Sequence, residues 1–206
     1  MKKLILASAS PRRSDLLRLL GLSFDVVPSH VSETLDRSIP PADYVQEISG
    51  RKARAVAARF NREIVIGADT VVVADGDILE KPAGEDEAIR MLSRLSGRTH
   101  RVYTGLTLID SGTGRSLRDV AVTDVAMRPL TPEEIHLYVQ SGEPMDKAGA
   151  YAVQGTAAAF VHSISGCFYN VVGLPISLFC SLLERLAGQS SLMVAAGHCK
   201  DLIPEP

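Results

Sequence analysis

Ile64-Val65-Ile66-Gly67-Ala68-Asp69-Thr70-Val71-Val72-Val73 is the most apolar strand-like stretch of this 206-residue chain, and its reading decides the fold class. β-Branched side chains suit a pleated, buried surface, so the stretch reads as a strand. Asp75-Gly76 turns it into a short return at Ile78-Leu79. On its N-terminal side, residues 4–7 are a short apolar run that reads as a buried strand. Ser10 then offers an N-cap, Pro11 takes the first helical position, and Leu16, Leu17 and Leu20 form a helical stripe closed by Gly21. A second short strand covers residues 24–27, and a polar loop runs to Pro40. Pro41 opens a long helix with Tyr44, Val45, Ile48, Ala55 and Val56 at helical spacing. On its C-terminal side, the pattern predicts a helix over 85–95 and a long hairpin, 99–109 with 116–127, around Ser111-Gly112-Thr113-Gly114. Thr131-Pro132-Glu133-Glu134 is a capping box that starts another helix. Two further strands are expected at 158–164 and 169–172, then a last helix after Gly173-Leu174-Pro175 reaching Ala187. Without repeats or linkers, this predicts an α/β fold, an elongated mixed sheet flanked by helices. Residues 1–187 form a single domain and residues 188–206 an irregular C-terminal tail.

Composition narrows the function classes. The chain has 22 Lys+Arg against 24 Asp+Glu, a net charge of −2, which gives no support to a nucleic-acid coat or a polybasic membrane anchor. No apolar run approaches the roughly 20 residues needed to cross a bilayer. The apolar stretch after Met1-Lys2-Lys3 is too short for a signal peptide. Cys167, Cys180 and Cys199 are an odd number with no CxxC pair, which excludes a disulfide framework or a zinc cage as the basis of the fold. A soluble, cytoplasmic protein is expected. Walker A, GxGxxG and nucleophile-elbow motifs are all missing, which argues against a P-loop NTPase, a Rossmann enzyme and a serine hydrolase.

Four segments carry chemistry. Ser8-Ala9-Ser10-Pro11-Arg12-Arg13 places hydroxyls and guanidiniums where a strand hands over to a helix N-terminus, a ready anion site. Arginines there oppose the helix dipole, so they need a negative partner: a phosphate, or surface acids such as Asp15. Within the apolar strand, Asp69 is costly to bury unless it is paired, metal-bound or facing a cleft, and Thr70 follows it. The alternative is a strand-end Asp that caps a turn. Lys52, in Arg51-Lys52-Ala53-Arg54, belongs to a basic helix face that is ordinarily solvated unless Lys52 alone turns inward; Lys81 and Glu33 complete this set. Last, Asp146-Lys147-Ala148-Gly149-Ala150-Tyr151 and Gln154-Gly155 combine small residues, which permit close approach to a ligand, with groups able to read a base edge. His100 reads as a strand residue with a satisfied ring, and Asn170 as either a pocket wall or a turn former.

Taken in order, these segments, with Lys81-Pro82, Leu95-Ser96-Gly97 and Val172-Gly173-Leu174-Pro175, resemble the Maf family (septum formation inhibitor Maf) of nucleoside triphosphate pyrophosphatases over residues 1–187. The resemblance implies an ITPase-like (Maf/Ham1-type) fold with a cleft between two lobes, a divalent metal cation (Mg²⁺ or Mn²⁺) and a possible homodimer. It implies the reaction NTP + H₂O → NMP + pyrophosphate, with a nucleoside triphosphate substrate and no nucleic-acid or membrane partner. Asp69 matches the family's proton acceptor. Arg12, Thr70 and Gln154 match positions linked to base choice, in the combination of the dTTP/UTP branch. Ser8, Ser10, Arg13, Glu33, Lys52 and Lys81 match substrate-binding positions around the phosphates, with Asp69 and Glu33 toward the metal. Alternatives are a non-enzymatic nucleotide-binding regulator of cell division and the same reaction on 7-methyl-GTP or another modified nucleotide.

Overall fold

The computed structural model describes residues 2–33, 35 and 39–188. Apart from Gly188, the tail expected to be irregular lies outside the described residues. The elements in order are β1 (Leu4–Leu6), α1 (Pro11–Leu19), β2 (Phe24–Val26), α2 (Pro41–Ala57), β3 (Ile64–Ala74), β4 (Asp77–Leu79), α3 (Glu85–Leu95), β5 (Thr99–Asp110), β6 (Ser116–Met127), α4 (Pro132–Gln140), β7 (Val161–Ser165), α5 (Phe168–Val172) and α6 (Ile176–Ala187). Short 3₁₀ turns fill the stretch between α4 and β7.

Among the described residues, seven strands form one mixed sheet in the order β2-β1-β3-β5-β6-β7, with β4 also paired to β3. β1 runs parallel to both β2 and β3, and the other pairs are antiparallel. The apolar stretch of the sequence is β3, at the centre of the sheet. Its side chains alternate between faces. Val65, Val71 and Val73 pack beneath α2, with Tyr44, Val45, Ile48 and Val56. Ile64, Ile66, Ala68 and Val72 face the opposite side, in two larger clusters. One gathers α1 and α6 through Leu16, Leu17, Phe179 and Leu182, and the other gathers α3 and α4 through Leu92, Leu95, Ile135 and Tyr138.

Two glycines let α2 lie hard against the sheet. A Cβ at Gly67 would fall 2.3 Å from the Ser49 carbonyl oxygen, and one at Gly105 would fall 2.3 Å from that of Val45. No side chain fits in that space, so the helix axis is set by contact of backbone with backbone.

The pairing of β3 explains where the site opens. On one edge, β1 accompanies it as far as Leu6↔Ile66, and β4 takes over only at Val72↔Leu79. The other edge is paired with β5 throughout, from Ile64↔Asp110 to Val73↔Arg101. Among the described residues, therefore, no strand lies beside the edge toward β1 between Gly67 and Val71, and a cleft enters the sheet there.

The C-terminal third departs from expectation. Residues 169–172 are helical, not extended, and α5 is locked by Asn170, whose amide donates to the Val102 carbonyl and to Thr123 Oγ1, both at 3.0 Å. A short apolar run cannot be told from a buried helical turn by periodicity alone, and tertiary hydrogen bonds decide it here. Likewise, the strand expected from 158 begins only at Val161, because Thr156–Phe160 forms a 3₁₀ helix. At Ser10 the backbone is extended as an N-cap requires, but its side chain makes no capping bond, and its N–H donates instead to Ser8 Oγ at 3.2 Å. The capping box at Thr131 forms in full.

Candidate active site

The cleft at the open edge of β3 encloses about 720 Å³. Ser8, Ser10, Arg12, Arg13, Glu33, Lys52, Asp69, Thr70, Lys81 and Gln154 all line it. They come from the end of β1, the first turn of α1, the loop before α2, α2 itself, β3, the segment after β4, and the irregular stretch after α4.

Asp69 lies two residues from Gly67 and so shares the face that meets α2. Lys52 is one turn beyond Ile48 on the packed side of that helix, and its Nζ donates to Asp69 Oδ1 at 2.8 Å. Glu33 Oε1 reaches the same nitrogen at 2.9 Å. Of the three basic residues in the segment 51–54, only Lys52 turns inward; Arg51 and Arg54 pair with Glu47 on the surface. Burial raises the Asp69 carboxyl above the ordinary aspartate range, with Lys52 pulling the other way. At 2.8 Å and an effective dielectric near 20, the Lys52–Asp69 attraction is roughly 6 kcal/mol, similar to the cost of desolvating two ions. The pair is therefore held for geometry rather than for net stability.

Arg13 differs from what a surface arginine would show. It is buried, and its partners are three neutral oxygens: the Gly173 carbonyl accepts from Nε at 2.8 Å, Ser8 Oγ from Nη1 at 3.2 Å and Thr70 Oγ1 from Nη2 at 3.0 Å. Asp15, an available surface acid, binds Arg18 instead, at 2.8 Å. Among the described residues, three of the five guanidinium N–H groups are used, and none goes to a carboxylate. Burial lowers the Arg13 pKa from its ordinary value, while Asp69 and Glu33 act to raise it. A guanidinium remains charged even so, and here it stands in a cleft with donors to spare. Its neighbour Arg12 is half-exposed and stands 3.7 Å from Asp146, which also pairs with Lys147.

Asp69 and Glu33 fit a divalent cation in a limited sense. Both oxygens already converge on one point, taken by the Lys52 ammonium, but no cluster of three or more His, Cys, Asp or Glu able to hold a metal occurs among the described residues. Such a donor set suits an ion like Mg²⁺, commonly held by one or two carboxylates together with substrate phosphates.

Sequence reasoning passed over Tyr44 and Glu80. Tyr44, fully buried, sets its hydroxyl 3.0 Å from the Glu33 carbonyl and 2.5 Å from Glu80 Oε1, and both Tyr44 and Glu80 line the cleft. Their available signal was position: Tyr44 precedes Lys52 by two turns of one helix, and Glu80 precedes Lys81. His100 is buried with Nε2 2.7 Å from the Tyr151 hydroxyl, but its Nδ1 has no partner among the described residues, so there its ring is half satisfied. Burial lowers its pKa to about 4 and keeps it neutral. Asn170 is neither cleft wall nor turn former, but a fully buried anchor of α5.

The mixed sheet and the charged cleft at a gap in its central strand define an α/β protein of the Ham1 fold. The Staphylococcus aureus Ham1 protein aligns over 90% of this chain and 100% of its own, with TM-score 0.50 at 14% identity. Residues 3–186 match the family model described as Maf-like protein, and the chain belongs to that family. Relatives named dTTP/UTP pyrophosphatase include those of Desulforamulus reducens, 50% identical over 89% of this chain and 96% of the relative, and Moorella thermoacetica, 51% identical over 85% and 91%. The Clostridium perfringens relative of the same name is 48% identical over 89% and 96%.

Proposed function

We propose that this protein hydrolyses dTTP and UTP to the nucleoside monophosphate and pyrophosphate in the cleft, with residues 1–187 as one two-lobed domain. The observation that carries this reading is Arg13: a buried guanidinium whose partners among the described residues are neutral oxygens, facing a cleft that also holds an acid whose affinity for protons is raised. The names of the relatives supply the substrate.

Asp69 accepts the proton of the attacking water as its oxygen bonds to the α-phosphorus. The bond from that phosphorus to the oxygen bridging toward the β-phosphorus breaks, and its electron pair leaves with pyrophosphate. Arg13, with Lys81 at the rim, stabilises the negative charge that gathers on the leaving group. Lys52 holds Asp69 and Glu33 in place. Asp69 and Glu33 would hold Mg²⁺ or Mn²⁺, which when bound neutralises phosphate charge. Arg12, Thr70 and Gln154 read the base. One methyl in an apolar pocket is worth only about 1–3 kcal/mol, which is why a single cleft accepts both uracil and thymine. The protein acts in the cytoplasm. Among the described residues, no helix is long and apolar enough to cross a membrane.

The test is a panel of NTPs, dNTPs and 7-methyl-GTP with Mg²⁺ or Mn²⁺, products resolved by chromatography. Monophosphate plus pyrophosphate from dTTP and UTP, abolished by EDTA, is the expected result. Diphosphate plus phosphate would overturn the bond assignment, turnover of 7-methyl-GTP alone would overturn the base assignment, and binding without turnover would make the protein a nucleotide-binding regulator.

A further inference from the structure

Thr70 contacts Arg13 on one side and Thr104 on the other, and counting the hydroxyl protons fixes its polarity. Arg13 Nη2 donates to Thr70 Oγ1 at 3.0 Å. Thr70 Oγ1 and Thr104 Oγ1 are 2.9 Å apart, and Thr104 Oγ1 lies 3.2 Å from the Asn170 carbonyl. That carbonyl can only accept, so the Thr104 proton goes to it. One assignment then makes all three contacts hydrogen bonds: Thr70 donates its own proton to Thr104. The oxygen thus turns its proton away from the cleft and keeps one lone pair toward it. Nothing in the relay is free to rotate. Thr104 and Asn170 are both fully buried, the Asn170 amide is bound to Val102 and Thr123, and Thr123 Oγ1 in turn accepts from the Cys167 N–H at 3.1 Å. Nor does a side chain crowd the oxygen from Gly173, where a Cβ would stand 3.7 Å from Thr70 Oγ1 and from Arg13 Nε.

We infer that Thr104 is a positioning residue for base choice: it makes Thr70 a pure acceptor, so the group that meets Thr70 in the cleft must be a hydrogen-bond donor, the imide N3–H of uracil or thymine. A phosphate oxygen is itself an acceptor and is repelled at this position. Cytosine presents an unprotonated N3 in place of the N–H and sets lone pair against lone pair, a built-in rejection. This rests on reading the cleft as a pyrimidine nucleotide site. The other donor shared by dTTP and UTP is the sugar 3′-hydroxyl, and the experiment separates the two.

The experiment measures kcat/KM for UTP, CTP and 3′-deoxy-UTP with the wild-type protein and with Thr104→Val and Thr104→Ser. In the wild type, UTP and 3′-deoxy-UTP are turned over comparably, and CTP is rejected. Thr104→Val is nearly isosteric but removes the acceptor for the Thr70 proton, which frees that hydroxyl to donate. The CTP:UTP ratio then rises by about tenfold or more, the worth of one polar contact reversed, and Thr104→Ser restores it. An unchanged ratio in Thr104→Val overturns the inference, because a purely structural loss lowers both substrates together. Loss of 3′-deoxy-UTP with retention of CTP by the wild type overturns it too, by assigning the donor to the sugar. Should Thr104→Val not fold, Thr104→Ala removes the same acceptor and takes its place, with the same rise expected and an unchanged ratio again overturning the inference. Absence of any UMP and pyrophosphate from UTP in the wild type marks failure of the pyrophosphatase reading itself, a different outcome from a flat ratio.

Discussion

Replacing Asp69 by Asn removes the proposed proton acceptor and leaves most of what surrounds it. The asparagine side-chain oxygen can still accept from Lys52, which also keeps Glu33 at 2.9 Å. The gross attraction lost is roughly 6 kcal/mol at an effective dielectric near 20, but the cost of burying the carboxylate goes with it. Burial outweighs the attraction in raising the pKa of Asp69, and Lys52 keeps Glu33 as a partner, so stability should change by no more than about 2 kcal/mol. For a domain of this size that is a shift in Tm of about 4–8 °C. The rate is another matter: loss of a general base is worth about 10²–10⁴-fold, equivalent to about 3–5 kcal/mol of barrier. Pyrophosphate release from dTTP and UTP, measured beside a thermal melt and nucleotide binding, should show a folded protein that binds and does not turn over. The pH profile of the wild type gives the matching sign. The carboxylate must be ionised to accept a proton, and its folded pKa lies above the ordinary aspartate value, so kcat/KM should fall on acidification at a pH higher than a free aspartate would give. An Asp69→Asn protein within tenfold of wild-type kcat would refute the assignment of the base.

Arg13→Lys should lose at least about 2 kcal/mol of transition-state stabilisation, about thirtyfold in kcat/KM, because one ammonium cannot reproduce a fork spanning Gly173, Ser8 and Thr70; steady-state kinetics on UTP check this, and near-wild-type activity would mean that the fork is not used. Gly105→Ala puts a Cβ 2.3 Å from the Val45 carbonyl oxygen and should cost about 1–3 kcal/mol or more in stability, read by denaturant titration, since backbone has to move to admit it. Thr131→Ala removes the capping bond to the Glu134 N–H and should lower stability by about 0.5–2 kcal/mol with kcat unchanged, as α4 does not line the cleft.

How much of this was legible beforehand depended on the range of the interaction. Local signals read well: the capping box at Thr131, the helices opened by Pro11 and Pro41, the β-branched run of β3 and the long hairpin each rest on neighbours within a few residues, and the structure has them within a residue or two. Signals that rest on distant partners did not. The run 169–172 has a strand's composition, yet α5 is helical because Asn170 bonds to Val102 and Thr123. Lys52 in a basic triplet looks like a solvated face until Asp69, seventeen residues away, turns it inward.

For the site, the sequence supplied the chemical types and their order, and the resemblance carried by those motifs named the residues that line the cleft. Tertiary structure alone decided how they work together. The cleft exists because β1 ends opposite Ile66 and β4 begins opposite Val72, a gap that no local pattern reveals. Among the described residues, Arg13 meets neutral oxygens because Gly173, Ser8 and Thr70 arrive from three parts of the chain. The direction of the Thr70 proton follows from Thr104 and Asn170, thirty-four and a hundred residues further along. Propensity, capping and periodicity act between near neighbours, so a sequence shows them directly. Polarity, burial and charge balance depend on atoms that only folding brings together.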